Sequence, residues 1–522
     1  MMEDKFFHLA KPVKRGLLHL VFSRFIIILL LIALQVLLLT TVFGWLKEYL
    51  PFFTVLQTLF TTVMIIYLFN ISMDSAAKLT WMFIIAVVPL PGAVLLFFTQ
   101  FDLGHRQVRA RVEQLIDETR AAIPQSPEIA EELSYDGSGT DDLQKYLSRS
   151  GCFPIFRNTA VDYFPLGEDK FEALLRELEK AEKFIFMEYF IIREGYMWGK
   201  VLEILTRKVR QGVEVRVLYD GMCELFHLPH SYLRLLREQG IQAKAFAPIL
   251  PVVSSHYNYR DHRKILVIDG NVAFTGGVNL ADEYINRDRR FGHWKDTSIM
   301  VSGPAVKSFT LMFLQMWNID EKQPQFAPWL EEGGEPIERA GGYVMPYGDC
   351  PLDSDKVGET VYMDILYRAT DYVHIMTPYL ILDGEMEAAL KYAAERGVDV
   401  KIILPGIPDK KLAYALAKSH YASLLASGVK LYEYTPGFVH AKVFVSDNKK
   451  AVVGTINLDY RSLYHHFECA AYLYKTGCIP AIEGDFQDTL LKCRTVTENS
   501  LARERLYYKL VGRLMKFVAP LM

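Results

Sequence analysis

Two stretches of the sequence share one pattern: His262-Arg-Lys264-Ile-Leu-Val-Ile-Asp269 and His440-Ala-Lys442-Val-Phe-Val-Ser-Asp447. In each stretch the lysine follows the histidine by two residues, and the aspartate follows it by seven. An asparagine stands 17 residues after each histidine, as Asn279 and Asn457. A single pattern of this kind recurs by chance, but two copies with equal offsets indicate an internal duplication.

The residue types in the two copies suit the chemistry of a phosphodiester. Residues two apart in a strand point to one face, so each histidine is expected beside its lysine on a β-branched, apolar strand. The small pairs Gly276-Gly277 and Gly454-Thr455 allow close approach of the backbone before each asparagine. Brought together, the lysines and amides would bind the non-bridging oxygens. One imidazole would attack phosphorus while the other protonates the leaving oxygen.

Helices and strands alternate in the same order around both copies. In the first half the pattern predicts, in turn, a helix, a strand, a helix and a strand at 171–181, 184–192, 199–210 and 213–221. In the second half the same four elements are predicted at 361–369, 372–376, 386–396 and 398–406. This alternation predicts an α/β fold of parallel βαβ units, duplicated as two halves that share an interface.

Breaks in composition divide the chain into six segments. Residues 123–142 are polar and interrupted by prolines and glycines, and so are residues 323–342, which indicates linkers or surface loops. The predicted segments are a membrane domain at 1–112, a linker at 113–150, a first half at 151–322, a linker at 323–342, a second half at 343–498 and a basic amphipathic helix at 499–522.

The N-terminal segment holds three apolar runs, at 25–43, 52–71 and 79–98. About 20 apolar residues span a bilayer as a helix, so the first two runs predict membrane crossings. The third contains Pro89, Pro91 and Gly92, which allow a kinked, re-entrant or interfacial segment. Basic residues flank the first run on one side and the third on the other, which favours two crossings and a cytoplasmic catalytic body at the cell membrane.

Charge and cysteine content exclude several classes of partner. The 58 basic and 61 acidic residues give a net charge of −3, so an anionic partner must be held locally, and nucleic acid is disfavoured. The six cysteines form no CxxC pair, which argues against a disulfide framework or a zinc site. His256, His293, His465 and His466 lack ligand spacing with carboxylates, so no metal and no cofactor are predicted.

The paired motifs resemble the phospholipase D superfamily, in which two HxKxxxxD motifs build one active site. The resemblance implies that His262 and His440 act as nucleophile and general acid, with His262 favoured as the nucleophile. It implies phosphate binding by Lys264, Lys442, Asn279 and Asn457, beside Gly277 and Thr455, and structural roles for Asp269 and Asp447. Asp296 and Glu468 can each orient an imidazole, with a plain salt bridge as the alternative. Glu188 either faces the pocket or is paired with a buried base.

The hydrophobic N-terminus before this body resembles bacterial cardiolipin synthases more narrowly. That resemblance implies transfer of a phosphatidyl group from one phosphatidylglycerol to another, giving cardiolipin and glycerol through a phosphatidyl-histidine. Water as acceptor would make the protein a phospholipase D. The sequence also leaves open a nuclease of the superfamily and a catalytically inactive membrane scaffold. The C-terminal leucines and basic residues predict a helix that lies on an anionic bilayer or packs on the body.

Overall fold

Four helices precede the α/β body: α1 (Phe53–Asn70), α2 (Ser75–Val87), α3 (Pro89–Gln100) and α4 (Leu103–Thr119). The structure is a computed structural model that describes residues 53–100, 103–229, 231–248, 259–353 and 355–521, and the isolated positions 37, 40, 41 and 44. The first predicted crossing, 25–43, lies outside the described residues except for three of those positions. Of the helices that the structure describes, none combines the length and the apolarity needed to cross a membrane.

The third apolar run, 79–98, is split between α2 and α3. The break is at Val88, whose extended φ of −132° and ψ of 77° end α2 immediately before Pro89 begins α3. Proline has no N–H to donate and disfavours helical geometry in the residue before it, which explains the position of the break.

The segment predicted as a linker at 113–150 is largely helical, which corrects that prediction. It contains the end of α4, then α5 (Pro127–Asp136) and α6 (Thr140–Ser150). The side chain of Ser126 caps α5, Pro127 is its first residue and Gly137 ends it at a φ of 66°. The prolines and glycines that suggested a loop therefore mark helix ends, where these residues are favoured.

These helices pack on both halves of the body. Arg111 Nη2 of α4 donates to the carbonyl of Glu321 at 2.8 Å, and Asp136 of α5 binds Lys475 Nζ at 2.5 Å. Asp142 of α6 accepts from Arg368 Nη2 at 3.2 Å. The segment is thus a helical layer of the body rather than a free connection.

The first half forms a mixed sheet with helices on its faces. Its elements are β1 (Ala160–Phe164), α7 (Gly167–Lys180), β2 (Phe184–Tyr189), α8 (Tyr196–Arg210), β3 (Glu214–Asp220), α9 (Met222–Phe226), α10 (Tyr232–Glu238), β4 (Gln242–Phe246), β5 (Arg260–Asp261), β6 (Lys264–Ile268), β7 (Val272–Gly276), β8 (His293–Lys295), β9 (Ser298–Ser302) and α11 (Val306–Trp317). The sheet order is β1-β9-β7-β6-β2-β3-β4. A one-turn helix, α12 (Ala327–Leu330), interrupts the otherwise irregular stretch that follows.

The second half repeats this arrangement. Its elements are β10 (Tyr343–Asp349), α13 (Val357–Arg368), β11 (Tyr372–Met376), α14 (Gly384–Glu395), β12 (Asp399–Pro405), α15 (Lys411–Ala426), β13 (Lys430–Tyr434), β14 (Gly437–Val439), β15 (Val443–Ser446), β16 (Lys450–Gly454), α16 (Tyr460–Tyr464), β17 (His466–Tyr474), α17 (Ile479–Leu490), β18 (Cys493–Thr495), α18 (Glu498–Ala502) and α19 (Leu506–Val518). The main sheet order is β10-β17-β16-β15-β11-β12-β13-β18. The predicted α/β fold of two repeated halves is confirmed.

The sequence pattern predicted parallel sheets, but the sheets of the structure are mixed. Strands β2, β3 and β4 run parallel, but the motif strand β6 is antiparallel to both β2 and β7. The turn that follows β6 has Asp269 and Gly270 at φ values of 52° and 67°. Two positive φ values match the twist of a tight hairpin, which returns the chain antiparallel. In the second half Asp447 and Asn448 do the same at 54° and 52°.

Two short pairings join the halves in a symmetric way. Strand β5 pairs with β17 of the second half, and β14 pairs with β8 of the first half. Between the two main sheets lies one apolar cluster that includes Phe309 and Phe313 of α11, Val267 of β6 and Val445 of β15. The two motifs are therefore held on two sheets that share a core.

Candidate active site

Both motif histidines lie just before their strands and are held by the opposite half. The motif strands begin later than expected, β6 at Lys264 and β15 at Val443. His262 therefore lies in the connection between β5 and β6, and His440 in the connection between β14 and β15. The N–H of His262 donates to the carbonyl of Phe467 at 2.9 Å, and that of His440 donates to Lys295 at 2.7 Å. This pairing across the halves replaces the continuous strand that the pattern suggested.

Each of the two predicted acids contacts the motif histidine of the opposite half. Nδ1 of His262 lies 2.8 Å and 3.0 Å from the two carboxylate oxygens of Glu468, in the second half. Nδ1 of His440 lies 2.6 Å from Oδ2 of Asp296, in the first half. All four side chains are buried. A carboxylate on Nδ1 fixes the ring orientation and leaves Nε2 for the reaction.

Burial favours the neutral form of both imidazoles in the site without substrate. It holds the pKa of His262 well below its usual value, although the charge of Glu468 opposes the shift. Burial, with the charge of Lys442, lowers the pKa of His440 to about 4. Burial alone would raise the pKa of Glu468, but the charge and hydrogen bond of His262 bring it below the ordinary range. The neutral nucleophile that the chemistry needs is thus available.

The two motif lysines are buried beside the histidines. Lys264 Nζ donates to the carbonyl of His262, and Lys442 Nζ donates to that of His440 and lies 2.8 Å from its Nδ1. Burial lowers the pKa of Lys264 to about 8 and that of Lys442 to about 7. The charge of Lys264 also lowers the pKa of both His440 and Lys442, so one electrostatic environment includes both motifs.

The asparagines and small residues of the motif differ between the halves. Asn279 is engaged, because its Oδ1 accepts from the N–H of Ile191 at 3.0 Å and its Nδ2 donates to the Tyr284 hydroxyl at 2.8 Å. Oδ1 of Asn457 is buried without a hydrogen-bond partner among the residues described. Oδ1 is an acceptor, so the group of the Asn457 amide that can bind a substrate oxygen is its Nδ2, which donates.

Gly277 and Thr455 hold the acids in two ways. A Cβ at Gly277 would lie 2.0 Å from Oδ1 of Asp296, so this carboxylate needs a glycine beside it. At the equivalent place the Thr455 hydroxyl donates to Oε2 of Glu468. Asp296 thus fits because Gly277 has no side chain, whereas Glu468 is held by a hydrogen bond from Thr455.

Asp269 and Asp447 fasten the motif to the start of a neighbouring strand. The carboxylate of Asp269 accepts three backbone N–H groups, from Glu182, Lys183 and Phe184, at 2.7–2.8 Å. That of Asp447 accepts those of Thr370, Asp371 and Tyr372 at 2.9–3.0 Å. These hydrogen bonds agree with a structural role for both aspartates and leave their carboxylates occupied by the backbone.

Glu188 forms an ion pair on the opposite side of the motif strand. Its Oε1 lies 2.6 Å from Nε of Arg263, the residue between the motif histidine and lysine, and both side chains are buried. Of the two interpretations of Glu188, the paired one describes the structure. His262, His466 and Glu468 have ligand atoms within 4.8 Å of one another and can hold a cation, but a cation there would occupy the imidazole that the reaction needs.

Aromatic rings around the histidines were missed by the sequence reasoning. Tyr284 and Trp294 pack on His440 at centroid distances of 5.4 Å and 5.3 Å, and Phe190 packs on His262 at 4.8 Å. His466, which the sequence analysis considered only as a metal ligand and rejected in that role, packs on His262 at 5.2 Å. A shared offset could have found two of them, since Trp294 and His466 each stand two residues before an orienting acid.

A family model described as "Cardiolipin synthase, PLD-like domain" matches residues 174–317 and 362–490. Each matched segment carries one motif and lies inside one of the two predicted halves. The cardiolipin synthase of Halalkalibacterium halodurans is 32% identical over 475 residues, 90% of this chain and 94% of that protein. The chain belongs to the cardiolipin synthase family of phospholipase D-like proteins.

Two further comparisons extend this result. An uncharacterised protein of Streptococcus mutans is 56% identical over 458 residues, 88% of this chain and 99% of that protein. The crystal structure of phosphatidylserine synthase from Haemophilus influenzae aligns with a TM-score of 0.53 at 16% identity, over 69% of this chain and 93% of that one. At that identity the structural likeness bears on the fold alone, which agrees with the two-half α/β architecture.

Proposed function

We propose that this protein is a cardiolipin synthase that transfers a phosphatidyl group between two phosphatidylglycerol molecules. The observation that supports this most is the pair of exchanged acid–histidine contacts, Glu468 with His262 and Asp296 with His440. They place two oriented imidazoles beside two buried lysines in a site built from both halves. Membership of the cardiolipin synthase family indicates the lipid substrate.

In the first step Nε2 of His262 attacks phosphorus of the donor lipid. The bond from phosphorus to the glycerol headgroup breaks, and His440, whose protonated form the bound anionic phosphodiester stabilises, gives its proton to the departing glycerol oxygen. Lys264, Lys442 and Asn457 contact the non-bridging oxygens, where negative charge increases in the transition state. The products of this step are free glycerol and a phosphatidyl group bound to His262.

In the second step a hydroxyl of another phosphatidylglycerol attacks the phosphatidyl-histidine. His440, now neutral, takes the hydroxyl proton as the new bond to phosphorus forms and the bond to His262 breaks. Cardiolipin leaves, and both imidazoles return to their starting protonation states. One phosphodiester replaces another, so the reaction needs no nucleotide.

A product assay separates the synthase from the phospholipase D and the nuclease. The purified protein in mixed micelles receives phosphatidylglycerol labelled in its headgroup, with no other lipid substrate. Cardiolipin and glycerol in equal amounts are expected. Phosphatidic acid with glycerol would make water the acceptor and the protein a phospholipase D. No turnover of the lipid, with cleavage of DNA or RNA instead, would support a nuclease.

The proposed location is the cell membrane, with the body on the cytoplasmic face. The C-terminal helix α19 supports contact with the bilayer, because one of its sides packs on the body and the other is exposed. Gly512 packs against Ala415 of α15, where a Cβ would meet a carbonyl oxygen at 2.3 Å. The opposite side exposes Leu506, Leu510 and Leu514, with Arg505 and Arg513 also exposed. An exposed apolar stripe with basic neighbours suits an anionic lipid surface.

The N-terminal helices continue this apolar surface. The Thr80 hydroxyl of α2 donates to the carbonyl of Phe517 at 2.7 Å, and the Phe83 and Phe517 rings meet edge to face at 4.8 Å. Leu79, Phe83 and Val87 of α2 are themselves exposed. The contact joins the C-terminal stripe to a helix of the predicted membrane domain, so both can enter one bilayer surface.

Brominated lipids test this placement. We expect that a tryptophan at position 514 (Leu514→Trp) is quenched in vesicles of brominated phosphatidylglycerol. Leu491→Trp is the matched control, because Leu491 is 86% exposed, against 72% for Leu514, and lies outside the stripe. The other six tryptophans provide a common background, measured on the unsubstituted chain. Equal extra quenching at both positions, or none at 514, would contradict the placement of this stripe.

A further inference from the structure

A third histidine of the site, His466, has no evident structural role. It is the first residue of β17, and its side chain is 7% exposed. Among the residues that the structure describes, neither of its ring nitrogens has a hydrogen-bond partner. An unsatisfied buried polar group is destabilising. Such a group in an active site indicates a contact made with the substrate.

The internal symmetry of the chain shows what an ordinary residue at this place does. His466 and Trp294 each stand two residues before the orienting acid, and each packs on the catalytic histidine of the other half, at 5.2 Å and 5.3 Å. Trp294 also packs on Phe438 at 4.7 Å within an aromatic cluster. Packing therefore explains most of the indole surface, although its Nε1 is also buried without a hydrogen-bond partner among the described residues. Packing explains less of an imidazole, which has two polar nitrogens, neither of them hydrogen-bonded.

The orientation of His466 relative to His262 gives its proposed contact. Nδ1 of His262 is 2.8 Å from Oε1 of Glu468, and Nδ1 of His466 is 3.6 Å from the same oxygen, too far for a hydrogen bond. Both rings thus turn Nδ1 towards one carboxylate. The Nε2 atom of an imidazole points away from the partner of Nδ1, so both Nε2 atoms lie on the side away from Glu468.

We propose that His466 is a further substrate-binding residue, whose Nε2–H donates to a non-bridging oxygen of the phosphodiester when phosphorus is attacked by His262. The inference rests on the proposed function only for the identity of the lipid, since any phosphodiester or phosphate analogue presents the same oxygens. It makes the His262 side of the pocket a stronger oxyanion site than the His440 side, where the equivalent ring is Trp294.

The substitutions distinguish Nε2 from the rest of the ring. Glutamine places its amide near the position of Nε2, whereas asparagine places it near Nδ1. We expect His466→Leu and His466→Asn to raise the KM for phosphatidylglycerol about tenfold to hundredfold, the loss of one hydrogen bond to a charged group. We expect His466→Gln to recover most of the affinity. His465→Leu, the same change at the adjacent position, is the control.

Inhibition by tungstate, a phosphate analogue, is measured on the same variants in the presence of EDTA. The inhibition constant is expected to rise with the KM in the Leu and Asn variants, while the thermal midpoint reports on folding. Unchanged constants in folded His466→Leu, or equal constants for the Asn and Gln variants, would overturn the proposal. So would loss of wild-type turnover in EDTA, because His466 would then be a metal ligand. If tungstate binding depends on His466 but no cardiolipin forms, the proposed function fails and this inference stands.

Discussion

The surroundings of the two motif histidines differ although the backbone around them is duplicated. His440 is enclosed by the rings of Trp294, Tyr284 and Phe438, at centroid distances of 5.3–5.9 Å. His262 meets Phe190 and the polar ring of His466, and Glu468 approaches its Nδ1 with both oxygens. The two imidazoles occupy equivalent places in the repeat, but the surroundings of one are polar and those of the other are aromatic.

This difference suits a division of chemical roles. A phosphatidyl group on an imidazole makes the ring positive, and a carboxylate with both oxygens near Nδ1 stabilises that charge. Additional hydrogen-bond donors stabilise the negative oxygens on phosphorus. A proton donor and acceptor for an alcohol needs only one oriented ring in a site with little water. The polar side therefore favours His262 as the nucleophile, and the aromatic side favours His440 as the acid and base for the exchanged alcohol.

The largest expected effect separates the two histidines directly. His262→Ala and His440→Ala should each lower kcat with phosphatidylglycerol by about 10³-fold or more. A donor lipid with a p-nitrophenol leaving group does not need an acid. With it we expect His440→Ala to release a burst of one p-nitrophenolate per site, and His262→Ala to release none. The opposite result would reassign the nucleophile, and a burst in both would contradict the two-histidine mechanism.

The exchanged acids give the next largest effect. Glu468→Gln and Asp296→Asn should each lower kcat about 10²-fold to 10³-fold, because an amide holds the imidazole in the wrong tautomer. We expect the Glu468 change to suppress the burst and the Asp296 change to slow the acceptor step.

A double-mutant cycle tests the exchange between halves. In the background of His262→Ala the Glu468 substitution should cost little more, whereas in that of His440→Ala its effect on the burst should persist. Coupling of Glu468 to His440 instead would contradict the pairing seen in the structure.

How far the sequence predicts the site depends on the range of each interaction. The fold class and the two motifs follow from periodicity and equal spacing, which are local properties. Asp296 and Glu468 were found as acids downstream of a motif, but their exchange between halves depends on how two sheets pack. No spacing along one half contains that information.

The errors have physical reasons of the same kind. The histidines were expected within strands because residues two apart share a face, yet each is held by a backbone contact to the other half. Residues 113–150 were expected as a linker because prolines and glycines favour loops, but at Pro127 and Gly137 they begin and end a helix. His466 was weighed as a metal ligand, since only the structure shows that it packs on His262.

Asp269 and Asp447 allow a test of stability that leaves the chemistry in place. Each accepts three backbone N–H groups, and Asp447 also accepts from the Thr370 hydroxyl at 3.2 Å. We expect Asp447→Asn and Asp269→Asn to lower stability by about 1–3 kcal/mol, with the larger loss at Asp447. Asparagine tolerates the positive φ at both turns, so backbone strain does not add to the loss. Thermal midpoints in micelles measure the change. A kcat reduced 10²-fold in the folded protein would contradict a structural role.

A dependence on pH is expected from the two lysines, whose pKa values differ between the halves. Both ammonium groups are charged below their pKa, about 7 for Lys442 and about 8 for Lys264, and an anionic phosphodiester binds the charged forms. The KM for phosphatidylglycerol should therefore rise as pH increases from 6 to 9, by at most about tenfold per unit for each proton required. Lys442→Arg keeps its charge over this range and should remove the rise near pH 7 but not that near pH 8. Both pKa values are lowered mainly by burial. A KM independent of pH in the wild type would therefore mean that water reaches the lysines. The predicted difference between the pKa values of the two lysines would then be wrong.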